Sequence, residues 1–567
     1  MRLAAAPLAG RSRRQLHTLL VANRGEIAVR ILRAAAELDV RTVAVYEPAD
    51  EASLHVALAG QALAVPSYLD THRIVSAAAE AGCDMLHPGY GFLSESAGLA
   101  DACDEAGISF VGPTASTIRK LGDKVAARQL AQQLGVPTAA GSAAPCDSPA
   151  GVRAAMAGAG IHYPVMLKAV GGGGGRGMRP VARDEALDEA FAACQRECAA
   201  VGLLGGVFVE ELLPAARHIE VQLLGDGAEV VHLYERDCSV QRRRQKQVET
   251  SPARNLPSSL RERLFSDALA IGSAVGYRSA GTVEFLVAAG PASAPAPRYV
   301  FLEANPRIQV EHTVSEEATG VDLVRATLQI AAGETLRGLG LAQESIRVVA
   351  PAIQARVAMT APGGRLASFA EPGGAGVRCD GALYAGYSPP SQYDPLLVKI
   401  IARGAAGGHE GAEVPASSWE VVRRRLLRAC SELHLGGTLQ TNLAELRAIL
   451  ASGTFARGGE WTTELLDDEE ATASALGTPS ASSTPSAPSA TPPPLPWRTP
   501  SSSTKPLAAA RQRRRRRPAR RRRHPCRRDA RTCARRSRVA SSMRRSRTAR
   551  GRASWSVRGR ASSSCRA

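Results

Sequence analysis

The stretch Glu303-Ala304-Asn305-Pro306-Arg307-Ile308-Gln309-Val310-Glu311-His312 decides how the rest of the chain is read. At the strand period of two, Glu303, Asn305, Arg307, Gln309 and Glu311 share one face, and Ala304, Pro306, Ile308 and Val310 share the other. Two carboxylates, two amides and a guanidinium on one face are costly to desolvate unless they bind something. A solvated edge strand marked by Pro306 is the plainer alternative. Such faces use Lys, Glu and Thr, however, so the composition favours a ligand-binding surface. From residue 303 to 311 a straight strand would span about 26 Å. One small site cannot use that length, so a bend is expected after Pro306.

Upstream, Thr282-Val283-Glu284-Phe285-Leu286-Val287 sets one carboxylate in an apolar strand, and Tyr299-Val300-Phe301-Leu302 leads into the deciding stretch. Glu284 and Glu303 on neighbouring strands would make a hard-oxygen pair suited to Mg²⁺ on nucleotide phosphates. Further back, alternation in His218–Leu224 and Val230–Tyr234 around Gly225-Asp226-Gly227 predicts a hairpin. The segment Glu235 to Lys246 follows, a basic cluster with two acids at its head, better suited to anions than to nucleic acid.

Val165-Met166-Leu167-Lys168-Ala169 reads as a strand ending on a lysine, and Gly171 to Gly175 follows directly. A glycine run beside a strand-end lysine suggests a mobile phosphate-covering lid, with a plain linker as the alternative. The match of Gly172, Gly174 and Gly177 to a dinucleotide fingerprint is weak, and no Gly-Lys-Ser/Thr makes a Walker loop. At the front, Leu19-Leu20-Val21-Ala22, a helical pattern through Ile27, Ile31 and Leu32, and Arg41 to Tyr46 read as the βαβ opening of a doubly wound unit. Gly-rich turns at Pro88–Phe92 and Gly112 stand where such folds bind ligands, and Thr114 to Gly135 reads as connecting helices.

The formal net charge of +18 is a poor average. From residue 474 onward there are 26 basic residues and one acid, Asp529, which leaves 45 basic against 52 acidic before it, about −7. The excess belongs to a tail rich first in Ser, Pro and Thr and then in Arg, which cannot bury a core and is expected to be disordered. The cysteines are scattered: Cys194 and Cys198 lack a second pair to complete a zinc set and read as core thiols, and nothing suggests a disulfide framework, which suits a reducing compartment. No apolar run is long enough to span a membrane. Arg2, Arg11, Arg13 and Arg14 precede the first acid, Glu26, as in an organellar transit peptide, with a short basic leader as the alternative.

Taken together these motifs are recognisable. Val21-Ala22-Asn23-Arg24-Gly25-Glu26-Ile27, His87-Pro88-Gly89-Tyr90-Gly91-Phe92-Leu93-Ser94-Glu95, the glycine run, Glu235-Arg236-Asp237-Cys238-Ser239 and the deciding stretch resemble the biotin carboxylase component of biotin-dependent carboxylases, an ATP-grasp enzyme. The resemblance covers about residues 18 to 470. Asn305-Pro306-Arg307, Thr313 and Trp461-Thr462-Thr463 look most like the pyruvate carboxylase type.

The resemblance implies an α/β plus α+β architecture. It would comprise a transit segment over 1–17, a Rossmann-like pre-ATP-grasp domain over 18–138 and an ATP-grasp domain over 139–345 with its lid at about 140–212. A biotin carboxylase C-terminal domain over 346–470 and the basic tail over 471–567 would follow. It also implies roles. Lys124, Lys168 and the lid glycines Gly173, Gly174 and Gly175 would contact ATP phosphates, and Glu210 and Leu213 the adenine. His218, Gln241, Arg244 and Lys246 would line the nucleotide. Glu284 and Glu303, with Asn305 nearby, would hold Mg²⁺ or Mn²⁺. Arg307, Gln309 and Val310 would seat bicarbonate, Glu311 would be its base, and Arg356 would steady biotin supplied in trans on a carrier.

Three positions depart from the family: Arg244 stands for a usual His, Ser96 for Asn and Gln247 for Val. Arg244 still offers donors to a nucleotide but cannot deprotonate. Implied partners are a biotin carrier and a carboxyltransferase, neither readable here, and a second copy in a homodimer. Implied locations are the mitochondrion, or else cytoplasm or plastid. A carboxylate–amine ligase of the same fold, an acyl-CoA carboxylase subunit, and a nucleic-acid binder acting through the Arg-rich tail are the alternatives. The tail itself reads as an acidic-partner arm, a solvated spacer or a shifted reading frame, and the abrupt change of composition where the resemblance stops favours the last.

Overall fold

The computed structural model describes residues 17–169, 177–199, 206–288, 297–405, 415–458 and 461–467. All lie in the first of two compact units, residues 1–485, and no residue of the second, 486–567, is among them. Gly173, Gly174, Gly175, the leader through residue 16 and the tail from 471 on therefore lie outside the described residues.

The expected βαβ opening is present. Strands β1 (Thr18–Val21), β2 (Arg41–Tyr46), β3 (Gln61–Ala64), β4 (Met85–His87) and β5 (Ser109–Phe110) form one parallel sheet in the order β3-β2-β1-β4-β5. Strand order reverses between β1 and β4, so the turns after these two strands face each other. Asn23 staples them: its amide donates to the carbonyls of Pro88 (2.6 Å) and Tyr90 (2.8 Å). Ser96, in place of the family's Asn, caps the next helix by accepting from the Leu99 amide at 3.1 Å. The two helices expected in Thr114 to Gly135 are Ala115–Gly122 and Lys124–Gln133.

Strands β6 (Val165–Ala169), β7 (Met178–Val181) and β8 (Val207–Glu211) form a small antiparallel sheet, β7-β6-β8, with Lys168 near the open end of β6. The remaining large sheet is antiparallel throughout. Its strands are β9 (Ala216–Asp226), β10 (Val230–Arg242), β11 (Gln245–Ser251), β12 (Arg278–Ala288), β13 (Tyr299–Asn305), β14 (Ala352–Ala358), β16 (Val377–Gly381) and β17 (Leu396–Arg403), in the order β13-β12-β9-β10-β11-β14-β17-β16. Strands β15 (Leu366–Ala370) and β18 (His434–Gly437) pair separately. The predicted hairpin is β9–β10, and its second strand runs on through the basic cluster to Arg242.

The charges of that cluster do not gather on one surface. On an extended strand its side chains part to opposite faces. Arg236 is wholly buried, Asp237 accepts from Arg217, Glu235 from Arg261, and Arg242 reaches Glu445 at 2.7 Å. Beyond the sheet, Trp461 stacks on Trp419 and Phe455 with ring centroids 5.7 and 4.8 Å away, inside the largest apolar cluster among the described residues. Burial of side chains this large contributes about 1.5–3 kcal/mol each. It anchors the segment whose Thr463 amide donates to Ala216 at the start of β9.

Candidate active site

Sheet register assembles the first part of the site. Glu303 on β13 pairs with Glu284 on β12, Glu284 with Glu220 on β9, and Glu220 with Arg236 on β10. Cross-strand partners share a face, so these four make one polar rung. One rung away, Asn305 pairs with Thr282 and Thr282 with Gln222. The strand-like half of the deciding stretch ends at Asn305, and the chain bends at Pro306, where the length argument required it. The Arg307 amide turns back to the Asn305 carbonyl at 2.8 Å, and a helix, His312–Thr319, starts after Glu311.

Glu284, 4% exposed, accepts from four donors. These are His218 Nε2 (2.7 Å), Gln309 Nε2 (2.8 Å), Asn305 Nδ2 (2.9 Å) and Lys246 Nζ (3.3 Å). Burial works against its charge, but Lys246 and His218 outweigh burial and hold it well below the usual carboxylate range. His218 is oriented in turn by Gln241, whose amide nitrogen lies 2.9 Å from Nδ1. Glu311 is 2% exposed, with one oxygen 2.7 Å from Lys246 Nζ and the other 2.9 Å from Arg356 Nη2. Burial again opposes the anion, and Lys246, Arg356 and Arg236 together hold Glu311 well below its ordinary pKa. Lys246 also reaches Glu220 at 2.7 Å, and Arg356 pairs with Glu249.

Nine of the sequence-predicted residues, Glu284, Glu303, Asn305, Gln309, Glu311, Lys246, His218, Gln241 and Arg356, thus form one connected polar network. Lys124 joins its rim, 3.4 Å from Glu303. Of the other predicted residues that are described, Arg307 reaches the network through Asn305 and the rest stand apart. Lys168 pairs with Glu210 in the small sheet, and this pair keeps Glu210 ionised against burial. Leu213 is buried with Ala139, Ala216 and Val300. Arg307 donates to Glu95 at 2.6 Å and to Asn305 at 3.1 Å, while Val310 takes part through its carbonyl, which accepts from Lys399 at 3.0 Å. Arg244 is not in the network: at the β10–β11 turn, it donates to the Met178 carbonyl on β7 at 3.1 Å. Gln247 accepts from Asn442 at 2.8 Å.

Sequence reasoning missed Glu220, Glu249 and the hub role of Arg236. Arg236 donates to Glu220, Gln222, Thr282, Gln309 and Ser315 with no exposed surface. Alternation of His218, Glu220 and Gln222 carried the signal for Glu220. Glu249 offered none, being one acid in a strand. His218, Glu220 and Glu284 also place ligand atoms within 4.8 Å of one another. The oxygen donors of these carboxylates, beside Glu303 and an Asn amide, fit a hard divalent cation better than a soft one.

A parallel β/α unit, a small antiparallel sheet carrying a strand-end lysine, and a large sheet faced with carboxylates and lysine are the parts expected of an ATP-grasp fold. The chain matches the family models "Biotin carboxylase, N-terminal domain" over residues 15–118, "Carbamoyl-phosphate synthase L chain, ATP binding domain" over 123–339 and "Biotin carboxylase C-terminal domain" over 346–468. A biotin carboxylase domain of the Hydrogenobacter thermophilus 2-oxoglutarate carboxylase, solved as a dimer with MgADP, ADP and bicarbonate, is 37% identical. It superposes with a TM-score of 0.72, covering 79% of this chain and 96% of that one. Biotin carboxylase of Campylobacter jejuni, solved with a β,γ-ATP complex, is 33% identical with a TM-score of 0.73, covering 80% and 98%. The chain belongs to the biotin carboxylase family. It is 44% identical over 474 residues to pyruvate carboxylase of Aspergillus terreus and 42% identical over 489 residues to human mitochondrial pyruvate carboxylase. These alignments take in 80% and 82% of this chain but only 38% and 40% of those relatives.

Proposed function

We propose that this unit carboxylates biotin with bicarbonate at the expense of ATP, and that it serves as the biotin carboxylase part of a pyruvate carboxylase-like enzyme. The observation that carries this reading is Glu311, a buried carboxylate held ionised between Lys246 and Arg356. Bicarbonate is a poor nucleophile until it loses its proton. Glu311 accepts that proton, and the freed oxygen attacks the γ-phosphorus of ATP, releasing ADP and forming carboxyphosphate, which breaks down to CO₂ and phosphate. A base paired with two cations is ionised but weak. An anionic substrate that draws Lys246 and Arg356 toward itself removes part of that stabilisation and strengthens the base at the moment of use. Arg307, Gln309 and the backbone at Val310 seat the anion, and Lys246 balances charge growing on the transferred phosphoryl group.

Glu284 and Glu303, with Asn305, would hold Mg²⁺ or Mn²⁺, which when bound neutralises phosphate charge. His218, Gln241, Lys124 and the pair of Lys168 with Glu210 would line the nucleotide, with Leu213 against its base. Arg244 would act at the edge of the nucleotide, from its place beside Met178. Arg356 would also steady the ureido group of a biotin brought by a carrier, whose carboxyltransferase selects the final acceptor. Division over 18–138, 139–345 and 346–470 agrees with the family models at its second boundary, where they break between 339 and 346, while their first break falls earlier, between 118 and 123. A dimeric relative supports a homodimer, and the basic leader together with mitochondrial mammalian relatives supports mitochondrial residence.

Purified full-length chain incubated with MgATP tests the reading. Phosphate release that requires both bicarbonate and free biotin is expected, and the chain should co-purify with a biotinylated carrier. Cleavage driven instead by a carboxylic acid and an amine would replace it with the ligase alternative.

A further inference from the structure

Between the end of β13 and the helix His312–Thr319, residues 306–311 carry the proposed bicarbonate seat and base without belonging to any strand. Something else must fix their backbone, because a base misplaced by an ångström loses much of its effect. One peptide in the segment, that joining Val310 to Glu311, is gripped from an unexpected direction. Its carbonyl accepts from Lys399 Nζ at 3.0 Å.

Lys399 lies on β17 with no exposed surface. In the sheet register it stands directly opposite Arg356 on β14, so both side chains leave the same face. Arg356 holds the Glu311 carboxylate while Lys399 holds the peptide carbonyl one residue before it. Two adjoining residues of one sheet thus fix the side chain and the backbone of a single residue.

A buried ammonium needs a counter-ion. Glu26 supplies it, with Oε2 2.9 Å from Lys399 Nζ, and its other oxygen accepts from the phenol of Tyr90. Glu26 sits in the first turn of the helix that follows β1, and Tyr90 in the turn after β4. Were the pair simply a packing element, an uncharged pair of similar size would serve as well. The Val310 carbonyl makes the difference, since only a donor at that point can hold it.

We propose that Lys399, with Glu26 as its counter-ion, is a positioning residue that sets the Val310–Glu311 backbone and thereby the aim of the base at bicarbonate. This rests on the reading of Glu311 as the base. The consequence is selective: bicarbonate use depends on Lys399, and nucleotide binding does not.

The test uses the full chain with Lys399→Met, Lys399→Arg, and Lys399→Met combined with Glu26→Gln. The double variant removes both buried charges together and so restores stability lost to an unpaired Glu26. Initial rates are measured against bicarbonate and ATP separately, with urea midpoints and amide hydrogen exchange. Expected is a bicarbonate KM raised about tenfold or more in Lys399→Met and in the double variant, partly rescued in Lys399→Arg, with the ATP KM within about twofold of the parent. Expected also is faster exchange at His312 and Val314, whose amides bond to Gln309 and Glu311, with the Phe301 amide on β13 unchanged. A double variant that recovers bicarbonate KM along with stability overturns the proposal, as does unchanged or uniformly faster exchange. If the parent itself shows no bicarbonate-dependent cleavage, the reading of the site fails, while exchange across 308–314 still decides whether Lys399 positions the segment.

Discussion

Glu311 shows how much one residue can depend on its surroundings. Buried alone it would protonate; between Lys246 and Arg356 it stays ionised. Replacing it by Gln keeps the shape and removes the base, so Glu311→Gln should lower the bicarbonate- and biotin-dependent rate by about 100-fold or more while ATP still binds. Steady-state kinetics beside nucleotide titration checks this, and retained turnover would remove Glu311 from the chemistry. Glu303 and Asn305 were legible from alternation alone, because a polar face on a strand with a buried reverse is hard to explain otherwise. Lys399 and Glu249 were not. Lys399 is one charge in an apolar strand and Glu249 one acid in a polar one; the meaning of each lies in what the register sets opposite it, which no local pattern encodes.

At the scale of elements, the turns after β1 and β4 work as one piece. Gly89 has φ +64°, and a Cβ there would stand 2.7 Å from the Asn23 amide nitrogen that bridges both turns. Gly89→Ala is therefore expected to cost about 1–3 kcal/mol, read as a lower urea midpoint. An unchanged midpoint would mean that the staple contributes nothing. Strand periodicity and turn residues made the β1 unit and the β9–β10 hairpin readable. The same periodicity gave no warning that β10 would extend through the Arg-rich cluster, because charged side chains hide a strand whose partners neutralise them. The bend at Pro306 was inferred from length, the one place where a distance argument corrected a pattern.

Across the whole molecule, burial keeps several histidines neutral. Burial lowers His87 and His312 to about 3 and His55 to about 4, from 6.5. The unfolded chain binds these protons below about pH 6.5 and the fold refuses them, so stability rises with pH across that window and falls on acidification. Each contributes up to about 1.4 kcal/mol per pH unit. Glu316, held at about 2 against burial by Arg30 and Arg378, acts in the same direction, with stability present above about 4.5 and lost as pH falls through its folded value. Glu26 and Glu249, raised by burial, oppose this in part. Urea midpoints should fall from pH 7.5 to 5.5, and His87→Gln should flatten that slope; equal midpoints would contradict both. Removal of residues 475–567, and with them the basic excess, should abolish any salt-sensitive nucleic-acid binding and leave ATP cleavage intact. The most direct measurement remains phosphate release from MgATP by the full chain, with bicarbonate and free biotin added singly and together. Release only with both, and its loss in Glu311→Gln, is the predicted result; cleavage indifferent to bicarbonate would contradict it.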